Sequence, residues 1–148
     1  MRKFEVVKDE FRKHPGVEIQ LPTRATAHSA GYDFYSPVDV VIEPGKSCFF
    51  FTDIKAKMNW YNVLMLYVRS SMGKHPVVIA NGTGIIDSDY YSNESNDGNI
   101  GFRLLNLGDE PYIIKIGDRI GQGVFQEYFT VEDDEMAGVR TGGFGSTN

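Results

Sequence analysis

The sequence predicts an all-β fold, a compact antiparallel β domain followed by a mobile C-terminal arm. Moderate runs of β-branched and aromatic residues recur along the chain, each closed by turn formers. No window sustains apolar positions at i, i+3, i+4 and i+7 over three turns, so helices are not expected. The chain then closes on RTGGFGSTN, residues 140–148, whose three glycines break any strand pattern.

The elements follow in order. Val17–Leu21 alternates apolar and polar residues until Pro22 interrupts. Val38–Ile42 runs into Glu43-Pro44-Gly45, where proline presets one turn dihedral and glycine supplies a positive φ. Phe49–Phe51 and Val63–Val68 are continuous apolar runs, the pattern of strands buried on both faces. Asn81-Gly82 predicts a type I′ hairpin, because both residues tolerate positive φ. Ile100–Leu105 and Tyr112–Ile116 are further strands, and Gly117–Phe125 reads as a turn entering one. The acidic stretch Glu132–Glu135 is expected to be a solvated connector to the arm. There is no internal repeat, and 148 residues suit one domain that buries about two-thirds of its unfolded surface.

Composition excludes several classes. With Cys48 as its single cysteine the chain forms no intrachain disulfide, which points to a reducing compartment. No secretory pattern opens the sequence, and no apolar run approaches the ~20 residues of a membrane span, so a soluble cytoplasmic protein is expected. A formal charge of −5 disfavours a nucleic-acid surface while leaving room for one small phosphorylated ligand. Walker and dinucleotide-binding glycine motifs are absent. One cysteine and the scattered His14, His28 and His75 assemble no structural zinc set.

Five polar, glycine-punctuated segments carry the candidate chemistry. Asp33 lies within Ala30-Gly31-Tyr32-Asp33-Phe34, and reads either as a functional carboxylate or as a turn aspartate before a strand. Arg69-Ser70-Ser71-Met72-Gly73 follows the most apolar strand and offers an anion site. In Asn81–Tyr91 the turn exposes backbone donors and acceptors that can read a planar base. Asp87, after an apolar pair, is a candidate general base, and a solvated acidic hairpin is the alternative. The fourth segment, Gly117–Phe125, contributes Arg119 and Gln122. In the fifth, Arg140 offers a fork for phosphate, Ser146 and Thr147 offer hydroxyls, and Phe144 offers a face for stacking on a base. Phosphate and base together mean a nucleotide.

In this order the five segments resemble the motifs of the trimeric all-β dUTPase family, over Ala30 to Thr147. The resemblance implies a jelly-roll-like domain of that type over residues 1–131. The acidic linker and nucleotide-closing arm would then occupy 132–148. It implies hydrolysis of dUTP to dUMP and pyrophosphate by water attack at the α-phosphate, assisted by Mg²⁺. That activity limits uracil incorporation into DNA and supplies dUMP for thymidylate synthesis. By the same resemblance Asp33 holds Mg²⁺ through water, while Arg69, Ser70, Ser71 and Gln122 contact the phosphates. Asn81, Gly82 and the backbone to Ile86 read uracil, Asp87 is the base for water, and Tyr90 packs under the deoxyribose. Arg140, Phe144, Gly145, Ser146 and Thr147 close over the nucleotide. Each site is assembled from three subunits, so a homotrimer is implied.

Some positions depart from the common pattern. Ser71 and Gly121 stand where many members have glycine and alanine, and Asn148 stands where glycine is common. Ser92–Asp97 extends the loop after Tyr91. That loop is polar and expected to be exposed, and Ser92–Asn99 is therefore a candidate grip for a protein partner, the regulatory alternative to a purely enzymatic role. The rival enzyme on the same fold, dCTP deaminase or a bifunctional form, would need its glutamate near Arg103, where arginine cannot serve.

Overall fold

The computed structural model describes residues 1–145. Among them are eleven strands and three short 3₁₀ turns, with no α-helix. The strands are β1 (Lys3–Val6), β2 (Tyr32–Tyr35), β3 (Val40–Ile42), β4 (Ser47–Phe51), β5 (Ile54–Lys57), β6 (Asn62–Tyr67), β7 (Val77–Ile79), β8 (Gly84–Asp87), β9 (Gly101–Asn106), β10 (Tyr112–Ile114) and β11 (Arg119–Glu127). No helix of the described residues is long and apolar enough to cross a membrane.

All pairings are antiparallel, as expected of an all-β domain. A four-stranded sheet runs β2-β11-β6-β8, a three-stranded sheet runs β4-β9-β7, and β1-β5 and β3-β10 form two ribbons. The two larger sheets close on a core that includes Phe34, Leu64, Phe102 and Leu104, none more than 1% exposed. Phe34 of one sheet meets Phe102 of the other edge-on, with ring centroids 5.4 Å apart, a favoured aromatic geometry. Gly121 makes this approach possible: a Cβ there would lie 2.5 Å from the Phe102 ring. Alanine at that position has no room in this chain.

Four expectations need correction. Val17–Leu21 keeps its alternation, with Val17 and Ile19 half-buried, but joins no ladder; only the isolated bridge Thr23–Asp33 follows it. Alternation reports which face is covered, not whether a neighbouring edge is free to pair. The turn at Asn81-Gly82 does not close a hairpin, because β7 pairs with β9 and β8 with β6. Only Gly82 takes positive φ there, at 84°, so the turn is not type I′. Phe49–Phe51 is not buried on both faces: Phe50 faces the core, while Phe49 and Phe51 are half-buried on the other side. The loop Ser92–Asn99 is not simply exposed either, since Asn93, Asp97 and Asn99 are buried.

Two strands leave little trace in the sequence. β1 and β5 pair Lys3 with Lys57 and Glu5 with Lys55, so their apolar content is too thin to stand out. Glu132–Glu135 is exposed, as a solvated connector should be.

Candidate active site

A cleft of about 470 Å³ opens between β8 and the β4-β9-β7 sheet. β8 is the last strand of its sheet, so one edge of its backbone has no ladder partner and alternate N–H and C=O groups there remain available. Asn81 and Ile86 line the cleft, and Gly82 sits at the exposed turn just before it. Asp87 ends β8 and caps the 3₁₀ turn Ser88–Tyr90 with extended backbone, φ −73° and ψ 155°. Its side chain is 49% exposed, more open than the preceding apolar pair suggests.

Tyr90 forms the floor at 5% exposure. Its hydroxyl donates to the Asn99 carbonyl oxygen at 2.6 Å and accepts from Asn96 Nδ2 at 2.9 Å. Burial, opposed only weakly by Asn96 and Arg140, pushes the phenol up to about 12, so it stays neutral across the physiological range.

The arm enters this cleft. Arg140 Nη2 lies 2.6 Å from Asp87 Oδ2 and its Nε 2.7 Å from Asp89 Oδ1. Gly143 lies flat on Tyr90, where a Cβ would come within 2.5 Å of the ring. Phe144 packs edge-on against Phe49 and Phe51, at centroid distances of 5.1 and 5.8 Å, with the Arg103 guanidinium 5.0 Å from the Phe49 ring. Gly145 follows with φ 93°. Ser146 and Thr147 lie outside the described residues.

A second group gathers at the far end of the same sheet. Asp33, 7% exposed, accepts from Arg69 Nε at 3.0 Å and has Arg119 Nη1 3.9 Å away. Gln122 of β11 stands in register with Asp33 on one side and Tyr67 on the other, and its Nε2 donates to the Val68 carbonyl oxygen at 3.1 Å. Buried Met72 anchors the 3₁₀ turn Ser70–Lys74, which leaves Ser70 and Ser71 exposed. A cleft of about 640 Å³ adjoins this group, lined by Arg69, Ser71, His75, Tyr112 and Arg119 among others. Among the described residues no group of three His, Cys, Asp or Glu side chains is placed to hold a metal ion directly.

The two groups do not meet within one chain. Asp33 is level with Tyr67, whereas Asp87 is level with Val63, three strands across and four residues along. At about 4.8 Å per strand and about 3.3 Å per residue, they stand roughly 20 Å apart. The fold thus brings together Asn81, Ile86, Asp87, Tyr90, Arg140 and Phe144, and separately Asp33, Arg69, Ser70, Ser71 and Gln122. Sequence reasoning missed Asp89, Phe49, Phe51 and Arg103 in the first group. The aromatic triplet was itself a signal, since a run too apolar for one-sided burial can also wall a cleft.

Comparison with known proteins bears on the same residues. The family model described as dUTPase matches residues 17–148. The chain belongs to the dUTPase family. The deoxyuridine 5'-triphosphate nucleotidohydrolase of Lactococcus lactis is 41% identical, covering 99% of this chain and 97% of that protein. The enzyme of the same name from Coxiella burnetii (strain RSA 331) is 37% identical over 91% of each chain. The crystal structure of dUTPase from Streptococcus mutans superposes with a TM-score of 0.75 at 35% identity, covering 87% of this chain and 98% of that one. As a dUTPase family member the chain carries all five segments within the matched range, and the extension Ser92–Asp97 lies inside it.

Proposed function

We propose that this protein hydrolyses dUTP to dUMP and pyrophosphate as a homotrimer with Mg²⁺. The observation that carries the reading is the cleft itself, in which an unpaired strand edge, a buried tyrosine floor and the open carboxylate of Asp87 converge. The free edge of β8 between Asn81 and Ile86 supplies backbone donors and acceptors for uracil. Cytosine would leave such groups unpaired, and thymine adds a methyl in the strand's path. Tyr90 lies under the deoxyribose. Asp87 takes a proton from water as the water oxygen bonds to the α-phosphorus, and the bond to the bridging oxygen breaks, its electron pair leaving with pyrophosphate. General-base help of this kind contributes ~10²–10⁴-fold, so phosphate binding and positioning supply the rest.

The roughly 20 Å between Asp33 and Asp87 supports a shared site, because one α-phosphate cannot touch both groups of one chain. Arg69, Ser70, Ser71 and Gln122 of one subunit then hold the phosphates beside Asp87 of another. Arg140, Phe144, Gly145, Ser146 and Thr147 close the arm over the nucleotide. This keeps the division into a β domain, 1–131, and a linker with arm, 132–148. A single carboxylate, Asp33, fits a hard cation that takes most of its ligands from phosphates and water. When bound, Mg²⁺ would neutralise the triphosphate and ease departure of pyrophosphate. The lone Cys48, which suits a reducing compartment, supports a cytoplasmic setting.

A pyrophosphate-release assay with dUTP, dCTP, dTTP and UTP in the presence of Mg²⁺ tests the reading. Release from dUTP alone is expected, and release from dCTP or none from dUTP would overturn it.

A further inference from the structure

The loop Ser92–Asn99 turns its amides inward. Asn96 Nδ2 donates to the Tyr90 hydroxyl, while Asn96 Oδ1 accepts from Asn93 Nδ2 at 2.7 Å and from the Gly98 N–H at 3.0 Å. Asn93 Nδ2 also donates to the Tyr90 carbonyl oxygen at 2.7 Å, so both ends of the tyrosine are held by one loop. The loop is itself fixed to the core. Asp97 accepts from Lys55 Nζ at 2.9 Å and from the Lys8 N–H at 2.8 Å, and Asn99 exchanges two bonds with Asp53, which is fully buried. Among the described residues no buried side-chain polar atom of Asp53, Tyr90, Asn93, Asn96, Asp97 or Asn99 lacks a hydrogen-bond partner, and Arg12 Nε, 3.6 Å from Asp53 Oδ2, is the one neighbour that does; satisfied groups of this kind make a buried polar network rigid. The same loop meets the arm, since the Ser95 N–H donates to the Thr141 carbonyl oxygen at 3.2 Å.

We propose that Asn96 is a positioning residue that locks the Tyr90 ring and thereby sets discrimination against ribonucleotides, with Ser92–Asn99 as its scaffold. This rests on the dUTP reading above. With Tyr90 under the deoxyribose, its ring is where a 2′-hydroxyl would meet the protein, and a ring that is to exclude that hydroxyl must not yield; a phenol bonded on two sides cannot slide or tilt without breaking a bond. Solvent-exposed atoms of the loop belong mainly to Ser92, Glu94 and Ser95, with no apolar anchor, so its architecture serves the site more than an outside partner.

The test compares kcat/KM for dUTP and UTP in the wild type, Asn96→Ala, Tyr90→Phe and the double variant. Asn96→Ala should change dUTP turnover little but lower the dUTP:UTP ratio by about tenfold, the scale of one misplaced small group. Tyr90→Phe, which removes both hydroxyl bonds, should lower the ratio at least as much, and the double variant no further than Tyr90→Phe alone, because the Asn96–Tyr90 bond is already gone. An unchanged ratio in folded Asn96→Ala, or additive losses, overturns the inference. Should Asn96→Ala not fold, Tyr90→Phe leaves the loop intact, and an unchanged ratio there overturns it equally. A second readout needs no turnover: calorimetric binding of a non-hydrolysable dUTP analogue and of its UTP counterpart should differ less in Asn96→Ala than in the wild type, in proportion to the lost kcat/KM ratio. An unchanged difference in affinity in Asn96→Ala overturns the inference. Absence of wild-type dUTP hydrolysis is read separately, as failure of the proposed function.

Discussion

Arg140 grips Asp87: the guanidinium Nη2 stands 2.6 Å from the carboxylate, and the adjacent Asp89 takes its Nε. Arg140 occupies one carboxylate oxygen, Oδ2, of a side chain that is 49% exposed, so a nucleotide that draws Arg140 away frees that oxygen as well for water. The γ-phosphate is the natural competitor, because a guanidinium binds phosphate and carboxylate by the same fork. Arg140→Ala should therefore free Asp87 yet lower kcat/KM for dUTP by about 10²-fold, the scale of losing one charge-stabilising donor. Steady-state kinetics checks this, and unchanged or improved kcat/KM would reduce Arg140 to a surface ion pair.

Asp87→Asn keeps the shape of the cleft and removes the base. Turnover should fall by about 10²–10⁴-fold while a non-hydrolysable dUTP analogue still binds. Calorimetric titration alongside pyrophosphate release separates the two effects, and near-normal turnover would move the base elsewhere.

Removing residues 140–148 should leave folding and assembly intact. Among the described residues the last strand ends at Glu127, and the buried hydrophobic core residues all precede that point. Sedimentation and thermal unfolding should match the full chain, with activity collapsed. An unfolded product would make the arm structural.

The separation of Asp33 from Asp87 yields a complementation test. Arg69→Ala and Asp87→Asn should each be inactive, but trimers mixed from both should regain activity. If each site draws its two groups from different subunits, about a quarter of the sites in a random equal mixture are whole. No recovery in the mixed trimers would place both groups in one chain's site.

The Lys55–Asp97 pair predicts how stability depends on pH. Burial would raise the Asp97 carboxyl, but the Lys55 ammonium and the Lys8 N–H together outweigh it and hold it below its ordinary 3.8. A depressed carboxyl stabilises the fold above its ordinary value, and that contribution is lost as pH falls through the folded value. Asp97→Ala should cost about 3–5 kcal/mol at pH 7, because it strands a buried ammonium. Urea unfolding should show that cost shrinking below about pH 4.

Much of this was legible in the sequence. Val63–Val68 and Ile100–Leu105 announce β6 and β9 within a residue or so, β6 because a strand buried along most of its length must be apolar and β9 because only the exposed Arg103 interrupts its apolar residues. The five polar segments mark themselves by residue types that strands avoid. Less legible was anything that depends on a partner strand. The alternation of Val17–Leu21 is real, yet the segment joins no ladder. Polar composition placed Ser92–Asn99 outside, whereas its amides satisfy one another and Tyr90 inside, and composition does not distinguish a solvated amide from a bonded one.

By itself, then, the sequence determined the all-β class, the family and the identity of the groups that chemistry needs, since these rest on local residue type and order. Only the tertiary structure decided that Asp33 and Asp87 lie at opposite ends of one sheet, that Phe49 lines the cleft and with Phe51 seats Phe144, and that Asn96 reaches Tyr90. Strand register and sheet order set those distances, and both arise from pairings between segments far apart in the chain, which no local pattern records.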